Sequence, residues 1–273
     1  MAILYLETRN RCLTPETAAF LESVHQYNWL HPDDRMDCVY ELYGTTRTAT
    51  DVAVLANHLG AENVIPVGSV EFVRDFCTSI LGLPPVKALN VPPELRCLLY
   101  LHRLVWDDQT PAELEALYKQ YGDLLVKPGK SPKLFEMTKY TGKETFPVGE
   151  SLFVSQPIPQ KIIGEWRVFC LNGKIRSIHP YGPLESWEMP DKDLVQEMAL
   201  QVNRHSCPSF ALDVAVLDGD AATLDNCPPD RTNTTVIEVH PFISCGLYGF
   251  EGPDVPKMAI VAWRHHVRTS KEV

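Results

Sequence analysis

Apolar and polar positions in the first third of the chain alternate between the periods of strands and helices. The segment TPETAAFLESVHQYNWL has helical spacing, with Thr14 as the N-cap and Pro15 at the first helical position. Three further elements follow, namely the helix DVAVLANHLG that ends at Gly60, the strand NVIPV, and a helix from about Ser69 to Leu81. Together with the opening strand AILYLE, this succession predicts a small α/β module.

A proline-rich segment, LPPVKALNVPPEL at residues 83–95, interrupts this pattern and is the best candidate for a linker. We therefore expect an N-terminal module over residues 1–90 and a second domain over residues 91–273. The chain shows no internal repeat and no low-complexity tract.

The pattern of the second domain predicts strands with fewer helices between them. TPAELEALYKQYG is a helix with Thr110 as N-cap and Glu113 in position to complete a capping box. The remaining predicted elements are the strands DLLVKP and SLFVSQPIP, the hairpin EWRVFCLNGKIRSIHPY with its NGK turn, a helix from about Lys192 to His205, and the strands FALDVAVLD and TTVIEVHPF. A polar loop, DGDAATLDNCPPDRTN, joins the last two strands.

Composition argues against several classes of function. The 273 residues are 45% hydrophobic and carry a formal net charge of -10, which disfavours a general binder of nucleic acid or of acidic membranes. No stretch approaches the roughly 20 apolar residues that a membrane span needs, and the first residues lack the features of a secretory signal. Eight cysteines without any CxxC spacing disfavour a zinc knuckle or a disulfide framework, so we expect a cytoplasmic protein.

The last two strands each carry an acid among apolar residues. Asp213 lies in FALDVAVLD, and Glu238 lies in TTVIEVHPF, where His240 projects from the same face two residues later. Carboxylates are rarely buried unless they are paired or coordinate a cation, so two of them on neighbouring strands indicate a divalent metal site. The alternative is that both acids reach solvent on an exposed sheet face.

Basic residues follow or occupy two other predicted strands. Lys127 ends an apolar strand, and Lys130 and Lys133 follow in the loop, a cluster that can neutralise a polyphosphate; a solvated basic loop is the alternative. Arg167 shares one face of its strand with Glu165, and the returning strand brings Lys174 and Arg176. Cross-strand ion pairing on an exposed face would also explain these four residues.

The order of these segments resembles the ATP-grasp superfamily. The resemblance covers roughly residues 120–250 and rests on the VKP strand, the Glu-x-Arg-Val strand and the closing Asp and Glu-x-His pair. Within the superfamily, the segments PVGSVEFV, KPGKSPKLF, GEWRVF and SCGLYGF are most similar to a divergent bacterial and phage clade of predicted amide ligases. The resemblance implies an α+β fold in which two lobes, about 91–155 and 156–273, clasp ATP, preceded by the N-terminal module.

The resemblance also implies roles for individual residues. Lys127 and Lys133 would contact the ATP phosphates, Glu165 would hold the ribose hydroxyls, and Asp213 and Glu238 would bind Mg²⁺. The backbone of Gln156, Pro157 and Ile158 would meet the adenine edge.

Two positions depart from the family pattern. His240 stands where better-known members have asparagine, so it would contact phosphate directly or through water rather than Mg²⁺. Ala211 stands where several ligases have an arginine, which leaves Arg167 and Arg176 as the nearest sources of catalytic positive charge.

The implied activity is an ATP-dependent carboxylate–amine ligation through an acyl phosphate, with release of ADP and phosphate. We expect small-molecule or peptide carboxylates and amines as substrates, no nucleic-acid or membrane partner, and a state that could include a homodimer. Two other classes stay open, a nucleotide-binding regulator or pseudoenzyme and a phosphotransferase. Cys245 as a nucleophile is a further hypothesis, against the commoner role of a small buried thiol.

Overall fold

The computed structural model describes residues 2–271 apart from residue 11 and residues 40–48, 98–99, 132, 183 and 220–232. The strands are β1 Ile3–Leu6, β2 Thr8–Arg9, β3 Cys12–Leu13, β4 Asp37–Val39, β5 Val64–Val67, β6 Val105–Gln109, β7 Leu124–Pro128, β8 Thr138–Tyr140, β9 Leu152–Ser155, β10 Ile162–Leu171, β11 Lys174–Pro180, β12 Ser209–Leu217 and β13 Thr234–Pro241. The α-helices are α1 Pro15–Leu30, α2 Ala49–Leu59, α3 Val70–Asp75, α4 Pro111–Tyr121, α5 Lys192–His205 and α6 Asp254–Ser270. Within these ranges, no helix is both long and apolar enough to cross a membrane.

The chain divides into two compact units. The first comprises residues 1–86, 207–210 and 241–273, and the second comprises 87–206 and 211–240. The first unit therefore includes the C-terminal segment, which the sequence pattern placed with the second domain. The predicted domains, 1–90 and 91–273, stay a prediction.

The first unit contains the predicted α/β module. Its sheet has the order β4-β1-β5, and β1 pairs with both neighbours in parallel. Thr14 caps α1 and Pro15 begins it, as predicted. The predicted helix from Ser69 to Leu81 begins as α3 but continues from Phe76 as a π-helical turn.

The second unit contains two four-stranded sheets. One has the order β6-β9-β7-β8, with every neighbouring pair antiparallel, and packs its apolar face with Leu114 of α4. The other has the order β11-β10-β12-β13, and β10 and β11 form the predicted antiparallel hairpin. Asn172 and Gly173 both have positive φ (50° and 71°), the backbone that the predicted NG turn requires. β12 is buried along its whole length.

The N-terminus of α4 carries the capping box that the sequence predicted. The Thr110 hydroxyl accepts a hydrogen bond from the Glu113 backbone N–H, and the Glu113 carboxylate accepts one from the Thr110 backbone N–H. Thr110→Ala should therefore lower the free energy of unfolding by about 1 kcal/mol, because a helix N–H loses its acceptor. Denaturant titration would measure this loss, and Thr110→Ser, which keeps the hydroxyl, should recover most of it. An equal loss in both variants would contradict the capping role.

Candidate active site

Three neighbouring strands of the second sheet bring charged side chains to one place. Arg167 lies on β10, Asp213 on β12, and Glu238 and His240 on β13. On β13, Val239 is fully buried while Glu238 and His240 are only half-buried, as the alternation of the sequence predicted. We call Arg167, Asp213, Glu238, His240 and Lys127 the charged cluster.

Arg167 and Asp213 form a buried bidentate ion pair. The Arg167 Nε donates to Asp213 Oδ1 at 2.7 Å, and Nη2 donates to Oδ2 at 2.6 Å. The Asp213 side chain has no solvent exposure, and that of Arg167 has 4%. The exposed sheet face that was the alternative for Asp213 is therefore wrong, since this carboxylate is buried and paired with a cation.

Lys127 joins the cluster from the other sheet of the same unit. It lies on β7, and its Nζ donates to Glu238 Oε2 at 2.5 Å. The other carboxylate oxygen of Glu238, Oε1, lies 3.1 Å from His240 Nε2, which is also 3.4 Å from Asp213 Oδ2. His240 Nε2 is buried but forms no hydrogen bond of acceptable geometry with a described residue.

The charges of the cluster shift the pKa of two of its members. Burial raises the pKa of Glu238, but the attraction of His240 and Lys127 outweighs it and holds that pKa well below its usual range. Burial lowers the pKa of His240, yet Glu238 and Asp213 outweigh it and raise this pKa to about 9. A divalent cation bound here would need the neutral imidazole and would displace its proton.

The cluster has the donor set of a divalent metal site. Asp213, Glu238 and His240 each offer one ligand atom, and these three atoms lie within 4.8 Å of one another. The buried His240 Nε2 lies within 3.4 Å of one oxygen of each acid. The residues therefore fit a divalent cation, with oxygen ligands from both acids.

Glu165 and Tyr181 lie beside the cluster. Burial, followed by repulsion from Asp213 and Glu238, raises the pKa of Glu165. The Arg167 guanidinium carbon lies 4.4 Å from the centre of the Tyr181 ring, a cation–π contact that leaves the guanidinium edge to Asp213. The Glu165 backbone carbonyl in turn accepts a hydrogen bond from the Tyr181 N–H at 2.8 Å.

Arg103 is a neighbour of the cluster that sequence reasoning missed. Its Nη1 donates to Val236 O at 2.9 Å and its Nη2 donates to Ile237 O at 2.7 Å. These two hydrogen bonds fix the backbone of β13 just before Glu238. Burial lowers the pKa of Arg103 to about 10, although the attraction of Glu238 acts in the opposite direction. Its segment, LHRLVW, has no alternation or motif that signals a site.

Three other predicted basic residues, Lys130, Lys133 and Arg176, are exposed. Lys133 is exposed, with a φ of 55°, and Lys130 pairs with Asp108 at 3.0 Å. Arg176 is exposed on β11, between Ile175, which pairs with Cys170, and Ser177, which pairs with Phe169. The register between β10 and β11 therefore shifts at this residue.

The predicted adenine segment follows β9. The Gln156 N–H donates to Leu104 O at 3.0 Å, and its side-chain Oε1 accepts from the Leu104 N–H at 3.2 Å. Pro157 is exposed and Ile158 is half-buried. Cys245 belongs to the other unit, where its thiol donates to Phe242 O at 3.2 Å. The roles assigned to these residues stay predictions.

Solved structures define the class of fold. The RimK domain protein ATP-grasp from Sphaerobacter thermophilus DSM 20745 is similar over 97% of this chain and 98% of its own, with 12% identity and a TM-score of 0.50. N5-carboxyaminoimidazole synthetase from Staphylococcus aureus is similar over 96% of this chain and 77% of its own, with 10% identity and a TM-score of 0.50. At these identities the similarity shows the fold alone, and it confirms the predicted α+β ATP-grasp fold.

The sequence defines the family within that fold. The profile of a family described as ATP-grasp domain, R-2-K clade family 2, matches residues 100–258, more than half of the chain. The chain therefore belongs to this clade family of the ATP-grasp domains, and the predicted superfamily is confirmed. No curated protein matches the chain significantly.

Proposed function

We propose that the protein is an ATP-dependent ligase that activates a carboxylate as an acyl phosphate, joins it to an amine and releases ADP and phosphate. This is carbon–nitrogen bond formation of the EC 6.3 type, with a small molecule or a peptide as each substrate. The observation that carries the proposal is the charged cluster within a chain of this ATP-grasp clade family. Three of its members can hold a cation, and Lys127 can meet phosphate.

The cluster suits phosphoryl transfer because it holds cationic and anionic side chains close together before any substrate arrives. Mg²⁺ held by Asp213 and Glu238 would offset charge on the transferred phosphoryl group. Arg167 orients Asp213 through two hydrogen bonds, so we assign it a positioning role. Lys127 would turn from Glu238 to a phosphate oxygen as that charge arrives.

The remaining predicted residues complete the proposed site. Lys133 and Arg176, both exposed, would supply further positive charge to the phosphates. Glu165 would accept hydrogen bonds from ribose hydroxyls, and Gln156, Pro157 and Ile158 would line the adenine edge. The Gln156 N–H already donates to Leu104 O and Pro157 has no N–H, so Ile158 would supply the backbone donor of this segment.

Nucleotide turnover tests the proposal directly. The purified protein is incubated with MgATP and pooled amino acids and short peptides, ADP is resolved from AMP, and new masses are sought. We expect ADP, phosphate and a condensed product that contains both substrates. A phosphorylated product would indicate a phosphotransferase instead, and MgATP binding without turnover on any pool would favour a regulator. Absence of ATP binding would contradict the proposal altogether.

A further inference from the structure

We infer that the metal site of the charged cluster binds Mn²⁺ in preference to Mg²⁺, because His240 supplies a nitrogen ligand. This inference rests on the proposed function, which places a divalent cation between Asp213 and Glu238. It replaces the sequence-based expectation that His240 contacts phosphate and leaves the metal to the two acids.

The distances around His240 match those between neighbouring ligands of one cation. In an octahedral site with bonds of about 2.1 Å, adjacent ligand atoms lie about 3.0 Å apart. His240 Nε2 lies 3.1 Å from Glu238 Oε1 and 3.4 Å from Asp213 Oδ2. The nitrogen therefore lies from both oxygens at about the spacing of neighbouring ligands, and the three ligand atoms lie within 4.8 Å of one another.

The other contacts of Glu238 and Asp213 leave acceptor positions on both carboxylates for a cation beside His240 Nε2. Lys127 holds Oε2 of Glu238, so Oε1 is the oxygen directed at His240. Arg167 holds both oxygens of Asp213 from one side, and each carboxylate oxygen keeps a second acceptor position. His240 Nε2 is buried and lies against one oxygen of each acid, so a cation bound among these three atoms would replace both contacts.

The chemistry of the donor set determines which cation is favoured. Mg²⁺ prefers oxygen ligands and gives up water reluctantly, so an imidazole nitrogen is a poor ligand for it. Mn²⁺ accepts the same carboxylates, and as a first-row transition ion it also binds imidazole. Three protein ligands would leave further coordination positions of the cation for water and phosphate oxygens.

Competition between the two cations measures the preference. Mn²⁺ bound to the protein in the presence of ADP is followed by the electron paramagnetic resonance signal of free Mn²⁺, and Mg²⁺ is then added to displace it. The wild type should bind Mn²⁺ at least about tenfold more tightly than Mg²⁺. His240→Asn, which replaces the nitrogen donor by an oxygen donor, should reduce the Mn²⁺ to Mg²⁺ ratio about tenfold. His205→Asn, at an exposed position on α5, should leave the ratio unchanged.

Spectroscopy of bound Mn²⁺ tests the ligand itself and does not depend on a variant that folds. Electron spin echo modulation should show ¹⁴N coupling in the wild type, and labelling the protein with ¹⁵N-histidine should replace it by ¹⁵N coupling. Bound Mn²⁺ without a histidine coupling would overturn this inference while leaving the proposed ligase intact, as would equal affinity for the two cations. Absence of binding by either cation with ADP present would instead overturn the metal site on which both proposals rest.

Discussion

Glu238→Gln should abolish nucleotide turnover, with a loss of about 10³-fold in the rate of ADP formation. Glutamine keeps the size of the side chain but removes the negative charge that pairs with Lys127 and faces His240. A cation would then lose one of its two carboxylates, and the transferred phosphoryl group would lose the charge that the cation supplies. Steady-state ADP release with saturating ATP, measured with Mg²⁺ and again with Mn²⁺, gives the rate.

Glu136→Gln is the matched control for this substitution, because Glu136 is exposed and lies outside the charged cluster. It should turn over ATP like the wild type, and both variants should be checked for native circular dichroism. If Glu238→Gln produced ADP at the wild-type rate, the assignment of Glu238 to the metal would be wrong.

Arg167→Met should lower the free energy of unfolding by about 3–5 kcal/mol. The substitution leaves the Asp213 carboxylate without its bidentate partner at a position that has no solvent exposure. The cost is the desolvation of an uncompensated charge, so removing that charge as well should reverse it. Guanidinium unfolding followed by tryptophan fluorescence measures the change.

The double variant Arg167→Met/Asp213→Leu separates stability from function. It should recover most of the lost free energy of unfolding while staying inactive, since it lacks a proposed metal ligand. Arg176→Met, at an exposed position on the neighbouring strand, should change the free energy of unfolding by no more than about 0.5 kcal/mol. Equal stabilities of Arg167→Met and Arg176→Met would show that losing the partner of the buried Asp213 carboxylate does not destabilise the protein.

The sequence predicted those features that depend only on residues close to one another in the chain. The capping box of Thr110 and Glu113 and the NG turn after Leu171 involve residues within one turn of one another, and the structure has both. The alternation that places Glu238 and His240 on the same face of β13 is a property of one strand. Such features need no knowledge of what the segment packs against.

The elements that the sequence analysis missed have weak or misleading patterns. β4 and β8 have three residues each, and β6 carries two adjacent aspartates, so neither hydrophobic alternation nor length marks them as strands. Helix α6 was not predicted, although its apolar positions recur with helical spacing after Pro253. The π-helical turn after α3 depends on packing rather than on a residue signal.

The sequence indicated all five residues of the charged cluster but not the contacts that join them. Arg167 and Asp213 are 46 residues apart and Lys127 and Glu238 are 111 apart, so no spacing in the sequence connects them. Arg167 was expected to face a phosphate, but the structure turns its guanidinium to Asp213. Such pairings depend on which strands become neighbours, and the order β11-β10-β12-β13 is not readable from the separate strands.

The ion pair between Lys127 and Glu238 makes the binding of cation and nucleotide thermodynamically coupled, if the proposed function holds. Glu238 would lose its cationic partner if Lys127 turned to a phosphate without a cation present, and a cation bound at Oε1 would replace that partner. When both ligands are present, Lys127 and Glu238 each exchange one partner for another. Neither side chain is then left with an unpaired charge. Cation and nucleotide should therefore each raise the affinity for the other by the same factor, and the protein should respond to the complex of the two rather than to either one.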